Sequence, residues 1–417
     1  MTLSSVKQMV AALAVIAMLP VTARAAPAKS SVACDAVARH LDATGGADQN
    51  SPLFLKSYEQ GPDEAALPDA LASSAFSYDN ALAIMALVAC GDVPRARRIG
   101  NAFMAASRQD RTFHDGRIRN AYRAGIVTPG PVALPGWWDK QQNLWAEDPF
   151  QDATQTGNVA WVALALLTLD QAAPSAGYRA GAEGLARWIA DHARDQRPPG
   201  GFSGGTIGYD PAQTRVGWKS TEHNVDVNAL GFWLTRLGNS DLGQALSRPS
   251  RIFLDAMFDA NRGLFRLGTT EEGAIQPPEK LALDELIWPL IGVADAPKPW
   301  RRSLDFAKAN LAVPGGFDFN NDRDGLWTEG TAQAALVERA VGDGAAADAL
   351  LKTATSLAAP SGYLYATKAG RITTGLPLGP DSKSDDFYYF HRPHLGATAW
   401  AALAEARWNP FTGKKVD

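Results

Sequence analysis

Gly157-Asn158-Val159-Ala160-Trp161-Val162-Ala163-Leu164-Ala165 has a near copy late in the chain, Gly396-Ala397-Thr398-Ala399-Trp400-Ala401-Ala402-Leu403-Ala404. Both are small-residue helices that are apolar almost all round, so each predicts a helix surrounded by protein rather than one lying on a surface. The same plan recurs along the chain: a Gly-, Pro- or aromatic-rich loop, a polar cluster, an apolar helix, a short turn, and a more charged amphipathic helix. Apolar helices are predicted over 78–89, 157–169, 222–237, 281–292, 328–341 and 394–406. Amphipathic partners follow over 93–107, 178–194, 241–257, 300–311 and 344–358, and 35–41 serves as the sixth, closing on the last apolar helix. Buried helices belong inside and amphipathic ones outside. Six hairpins of this kind make an all-α double ring, the (α/α)6 toroid, with short β-turn and hairpin loops at its rim.

In that architecture the inner helices run parallel and their N-termini open at one end. Lys219-Ser220-Thr221-Glu222-His223-Asn224-Val225-Asp226 begins one of them. Thr221 is the predicted N-cap; Val225, Ala229, Phe232 and Trp233 form a buried stripe; Glu222 and Asp226 lie one turn apart. The other starts carry Tyr78-Asp79-Asn80, Gln155-Thr156-Gly157-Asn158, Asp284-Glu285, Trp327-Thr328-Glu329-Gly330 and Phe390-His391-Arg392-Pro393-His394. Acids and amides favour helix starts for capping alone, which accounts for any one cluster. A ring of them above an apolar barrel also makes a concave site with titratable groups close enough to shift one another.

The chain has 417 residues, 46% of them hydrophobic and 20% charged, and a net charge of -4. That balance gives no electrostatic reason to expect nucleic acid. Twelve Trp among 26 Pro and 38 Gly suit stacking on sugar rings. Lys7, an apolar run over 9–21 and Ala23-Arg24-Ala25 have the three-part plan of a cleavable secretory signal over 1–25, leaving 26–417 as one catalytic domain. No later run is long enough to span a bilayer, so the mature protein is expected in the periplasm or the medium. In an exported chain Cys34 and Cys90 are a disulfide candidate. With no CxxC, no paired His spacing and no phosphate-cradling glycine loop, no metal or other cofactor is expected. Oligomeric state is not legible.

Trp327-Thr328-Glu329-Gly330-Thr331-Ala332-Gln333 resembles the helix-start Glu-Gly segment that carries the proton donor in family 8 glycosidases. Tyr388-Tyr389-Phe390-His391-Arg392-Pro393-His394-Leu395-Gly396-Ala397-Thr398-Ala399-Trp400, with Asn409-Pro410-Phe411, resembles the C-terminal signature of exported bacterial proteins associated with polysaccharides. Over most of its length the chain thus resembles the six-hairpin glycosidase-like superfamily, which includes family 8 endoglucanases, glucoamylases and unsaturated uronyl hydrolases. The resemblance implies hydrolysis of a carbohydrate substrate by two carboxyl groups, mostly with inversion and a separation of about 6.5–9.5 Å.

The catalytic candidates are Asp79, Glu222, Asp226 and Glu329. Glu222 is favoured as general acid because the Asp226 carboxyl is a like charge one turn away, with Asp79 or Glu329 as base. Substrate-binding candidates are His223, Asn158, Trp137, Trp138, Trp145, Trp327, Tyr388, Tyr389, His391 and Arg392. The three Trp at 137, 138 and 145 lie on a long loop over 123–156 expected to cross the rim, with Arg123 beside it as a contact for an acidic sugar. Two alternatives share the fold. A lyase or epimerase would use His391, Arg392, His394, Tyr388 and Tyr389 as acid and base, and a non-catalytic protein would bind glycan or assist exopolysaccharide assembly.

Overall fold

The computed structural model describes residues 31–61, 64–174, 176–378, 382 and 384–417; the signal segment expected over 1–25 lies outside them. The described chain forms helices α1 Val32–Gly45, α2 Asp69–Ala72, α3 Ser77–Ala89, α4 Val93–Ala106, α5 Thr156–Ala172, α6 Ala176–Trp188, α7 Thr221–Arg236 and α8 Ser240–Met257. There follow α9 Leu283–Ile287, α10 Pro289–Gly292, α11 Arg302–Asn310, α12 Thr328–Ala340, α13 Gly344–Thr355 and α14 Leu395–Glu405. Helices α3, α5, α7, α9/α10, α12 and α14 pack in that order and α14 returns to α3, closing an inner ring. Each is backed by its amphipathic partner, and α1 packs on α14 as the sixth outer helix. Strands are confined to short antiparallel pairs at the two ends of the ring.

The inner position follows from composition: nearly every residue from Val159 to Leu169 and from Leu395 to Ala404 is buried. Trp161, Trp288 and Trp400 converge on the barrel axis, with ring centroids 5.3 Å apart for Trp161 and Trp288 and 5.9 Å for Trp161 and Trp400. Phe411 enters from the opposite end, 5.0 Å from Trp161 and 5.4 Å from Trp288. The tail that carries it is pinned by Asn409 Nδ2 donating to the Ile291 carbonyl and Gln171 Nε2 donating to the Gly413 carbonyl. The axis is therefore filled by aromatic rings below the helix starts.

Three expectations differ in detail. The fourth inner helix is broken, because Pro289 has no N–H to continue the ladder and the segment divides at Trp288. The N-cap of α7 is Ser220, whose hydroxyl accepts from His223 N, and Thr221 instead donates to the Arg266 carbonyl at 2.6 Å. Phe232 turns outward at 37% exposure while Val225, Ala229 and Trp233 are buried, so the stripe is narrower than its periodicity indicates. Cys34 at the start of α1 and Cys90 at the end of α3 are bonded, with Cα atoms 6.2 Å apart, tying the sixth outer helix to the inner ring.

Candidate active site

All the acids expected at the helix starts lie at one end of the ring. Glu329, in the first turn of α12, is held by groups from two other inner-helix starts and from the next turn of its own helix. Tyr78 Oη donates to Glu329 Oε1 at 2.8 Å and itself accepts from Trp400 Nε1 at 2.7 Å. Gln333 Nε2 donates to the same oxygen at 3.3 Å, its amide oriented by Trp288 Nε1 donating to Gln333 Oε1 at 3.1 Å. The His394 imidazole lies between two acids, with Nδ1 3.6 Å from Glu329 Oε2 and Nε2 3.4 Å from Asp79 Oδ2. Tyr58 stacks on it at 4.4 Å.

Electrostatics separate these groups. Burial pushes the Glu329 carboxyl up to about 7, against the pull of His394 and the Tyr78 hydroxyl, while the Asp79 and Asp284 charges push it further. Burial alone would depress His394, but Asp79 and Glu329 outweigh it and hold the imidazole above its ordinary range. Glu222 is only half-buried by its surface, at the mouth of the bowl. What acts on its carboxyl is desolvation first, then the Asp284 and Glu329 charges, and all three favour the protonated form.

Glu222, Asp284 and Glu285 form the second half of the cluster, each placing a carboxyl oxygen within 4.8 Å of the others. Asp284 Oδ1 accepts from Glu285 N at 3.0 Å, whereas Glu285 Oε2 is buried without a partner. Asp226 lies a turn deeper on α7, fully buried, with neither oxygen hydrogen-bonded in the geometry that bond requires. Burial and the Glu222 and Asp284 charges push it well above the ordinary carboxylate range. Asp226 lies beneath Glu222, whose charge raises it, while the charges that raise Glu222 are those of Asp284 and Glu329 and not the Asp226 charge that the sequence pointed to. His223 is also buried, and desolvation lowers its imidazole to about 4, so the ring is neutral against Trp218, 5.5 Å away.

These buried acids make stability depend on pH with a definite sign. Glu329 has a folded value near 7 against an ordinary value of 4.5. Between these the folded state holds the extra proton, so stability is intact below about pH 4.5 and falls as pH rises through 7. The melting temperature is expected to be higher at pH 5 than at pH 7.5, with Glu329→Gln flattening the slope; a scan of both proteins against pH checks it.

Gly396, one residue into α14, is the position that lets the cluster close. An added Cβ would meet Asp79 Oδ1 at 2.7 Å, His394 Cε1 at 2.8 Å and Glu329 Oε2 at 2.9 Å. Gly396→Ala is expected to displace all three groups and lower kcat about 10²-fold with the fold retained, as steady-state kinetics beside circular dichroism would show.

The remaining candidates divide. Tyr389 is half-buried and its hydroxyl is pushed well up by burial and by Glu329, which places it at the bowl. Asn158 is half-buried and donates to Asn120 Oδ1 at 2.8 Å. Trp138 and Trp145 face one another across the antiparallel pair Trp137–Asp139 and Leu144–Ala146, exposed by 53% and 46%. Trp327 does not present a face to ligand: it is 1% exposed, packed between Phe319 and Tyr389. His391 and Arg392 are also committed elsewhere, His391 to the Thr367 carbonyl and the Tyr365 ring, Arg392 to Glu64 at 2.8 Å. Tyr388 lies under Arg371 at 4.3 Å. The candidates for hydrolysis lacked Tyr58, Tyr78, Asp284, Glu285 and His394, the last named only for the lyase alternative, although the last four occupy helix starts that the repeat aligns. A second acidic group, Asp318, Asp322 and Asp324, brings oxygens within 4.8 Å of one another and could hold a hard cation.

An inner ring of parallel helices backed by an outer ring of partners is the (α/α)6 toroid. No protein-family model matches the chain, and no curated protein matches it in sequence. Solved structures do match it in shape. A wild-type glycosidase is 14% identical with a TM-score of 0.58, over 90% of this chain and 95% of that one. A novel alpha-amylase from Clostridium perfringens is 12% identical with a TM-score of 0.58, over 93% and 100%. A GH76 alpha-mannanase from Bacteroides thetaiotaomicron is 12% identical with a TM-score of 0.54, over 90% and 94%. At these identities the likeness is one of fold.

Proposed function

We propose that this chain is an exported glycoside hydrolase that cleaves a polysaccharide or oligosaccharide with inversion, Glu222 donating the proton and Glu329 activating water. The observation that carries the reading is that two carboxyl groups, both raised by burial, differ in the groups set against them. Glu222 is surrounded by burial and like charges that keep it protonated, while Glu329 is served by an imidazole, a phenol and an amide that favour its charged form. Environments that drive two carboxyl groups apart divide acid from base. Asp79 then acts through His394, holding the imidazole against Glu329. The glycosidase, amylase and mannanase likenesses support the class of reaction, and the bonded cysteine pair supports an oxidising compartment outside the cytosol.

The test is release of reducing ends from a panel of glucans and mannans, with the anomer of the first product followed by NMR. Inversion supports the assignment; retention would require a nucleophile in place of a base. Trp138→Ala with Trp145→Ala is expected to raise KM about tenfold on polymer and leave a disaccharide substrate unaffected, since exposed indoles on a paired hairpin stack on sugars away from the bond cleaved.

A further inference from the structure

The charges around the bowl carry a statement about which sugars it admits. Glu222, Asp284 and Glu285 crowd within 4.8 Å, Asp226 lies beneath them with both oxygens unpartnered, and Asp79 and Glu329 flank the other side. Among the described residues the one cationic side chain set against these acids is His394, already shared between Asp79 and Glu329.

The nearby guanidiniums are engaged outside the bowl. Arg392 is paired with Glu64 at 2.8 Å, Arg371 covers Tyr388 at 4.3 Å, and Arg123, the residue expected to meet an acidic sugar, is exposed and lies over Trp145 at 5.0 Å. Arg119 is fully buried on Asp110 and Asp210.

We infer that the bowl takes uncharged glycans and rejects those carrying carboxylate at the sugar bound there. A uronate would be one more acid in a cluster that cannot ionise all the members it has, with no free cation among the described residues of the bowl to receive it. The same absence bears on the lyase alternative. Abstracting the proton beside a uronate carboxyl requires that carboxylate to be neutralised by a cation or by strong donors, and Arg392, named for the acid-base set of that alternative, is held by Glu64. The inference depends on the hydrolase reading for cleavage but not for binding.

The experiment compares maltohexaose, laminarihexaose, cellohexaose and mannohexaose with the same oligosaccharides oxidised at C6 to uronates. Binding is measured by calorimetry on Glu222→Gln protein and cleavage on the unaltered chain. The expected result is that every neutral hexaose that binds loses at least tenfold in affinity on oxidation, that high salt narrows the gap, and that Asp284→Asn with Glu285→Gln narrows it further. Equal or tighter binding of an oxidised hexaose overturns the inference, as does a gap unchanged when both acids are neutralised. Discrimination without any release of reducing ends would leave this inference standing and remove the hydrolase reading.

Discussion

Glu222→Gln is expected to lower kcat about 10³-fold on an unactivated glycan while KM moves little. Gln keeps the size and hydrogen-bonding reach of the carboxyl but has no proton to give, so ground-state contacts survive and departure of the leaving oxygen does not. An aryl glycoside with an acidic phenol needs no protonation, and on it the variant should recover most of the lost rate. The pH profile supplies a separate readout. Desolvation, Asp284 and Glu329 raise Glu222 well above the ordinary carboxylate range, so the alkaline limb of kcat belongs to its ionisation and should vanish in the variant. Equal losses on activated and unactivated substrates would remove Glu222 from the role of proton donor.

Glu329→Gln is expected to cost about 10³-fold as well, but with the opposite substrate dependence: no aryl leaving group should rescue it, because the step lost is the attack of water. A small anion such as azide, small enough to occupy the vacated side, should restore turnover and give a glycosyl azide of inverted configuration. The substitution also removes one of the charges that raise Glu222. Any residual activity should therefore lose its alkaline limb at lower pH than the unaltered protein. A limb that stays in place would mean that Glu222 and Glu329 do not sense one another.

The ring was legible because burial leaves a periodic trace. Gly157 to Ala165 and Gly396 to Ala404 could be paired by eye, and the six helix starts followed from them. Which start residues reach the bowl was harder to see, because a helix start specifies a position and not a depth. Asp226 is only one turn beyond Glu222, yet that turn takes it from the mouth to full burial. Asp284, Glu285 and His394 were visible as helix-start residues but fell outside the candidates for hydrolysis, because nothing local distinguishes a residue that faces the axis from one that caps its own helix. Arg392 failed for another reason: its partner Glu64 is far away in sequence, and no local pattern reports an ion pair between distant loops. Gly396 could have been noticed as a helix-interior glycine inside the repeated segment, but only the contacts of its missing methyl group explain it.

Phe411 has a bearing on how such a ring is assembled. The three indoles on the axis belong to different inner helices, and the residue that fills the gap between two of them arrives only after α14 has been made. Among the described residues no other ring is set against both Trp161 and Trp288 from that end. Closing the ring from α14 to α3 and filling its axis are thus separate contributions, the second supplied by a residue that follows the last helix.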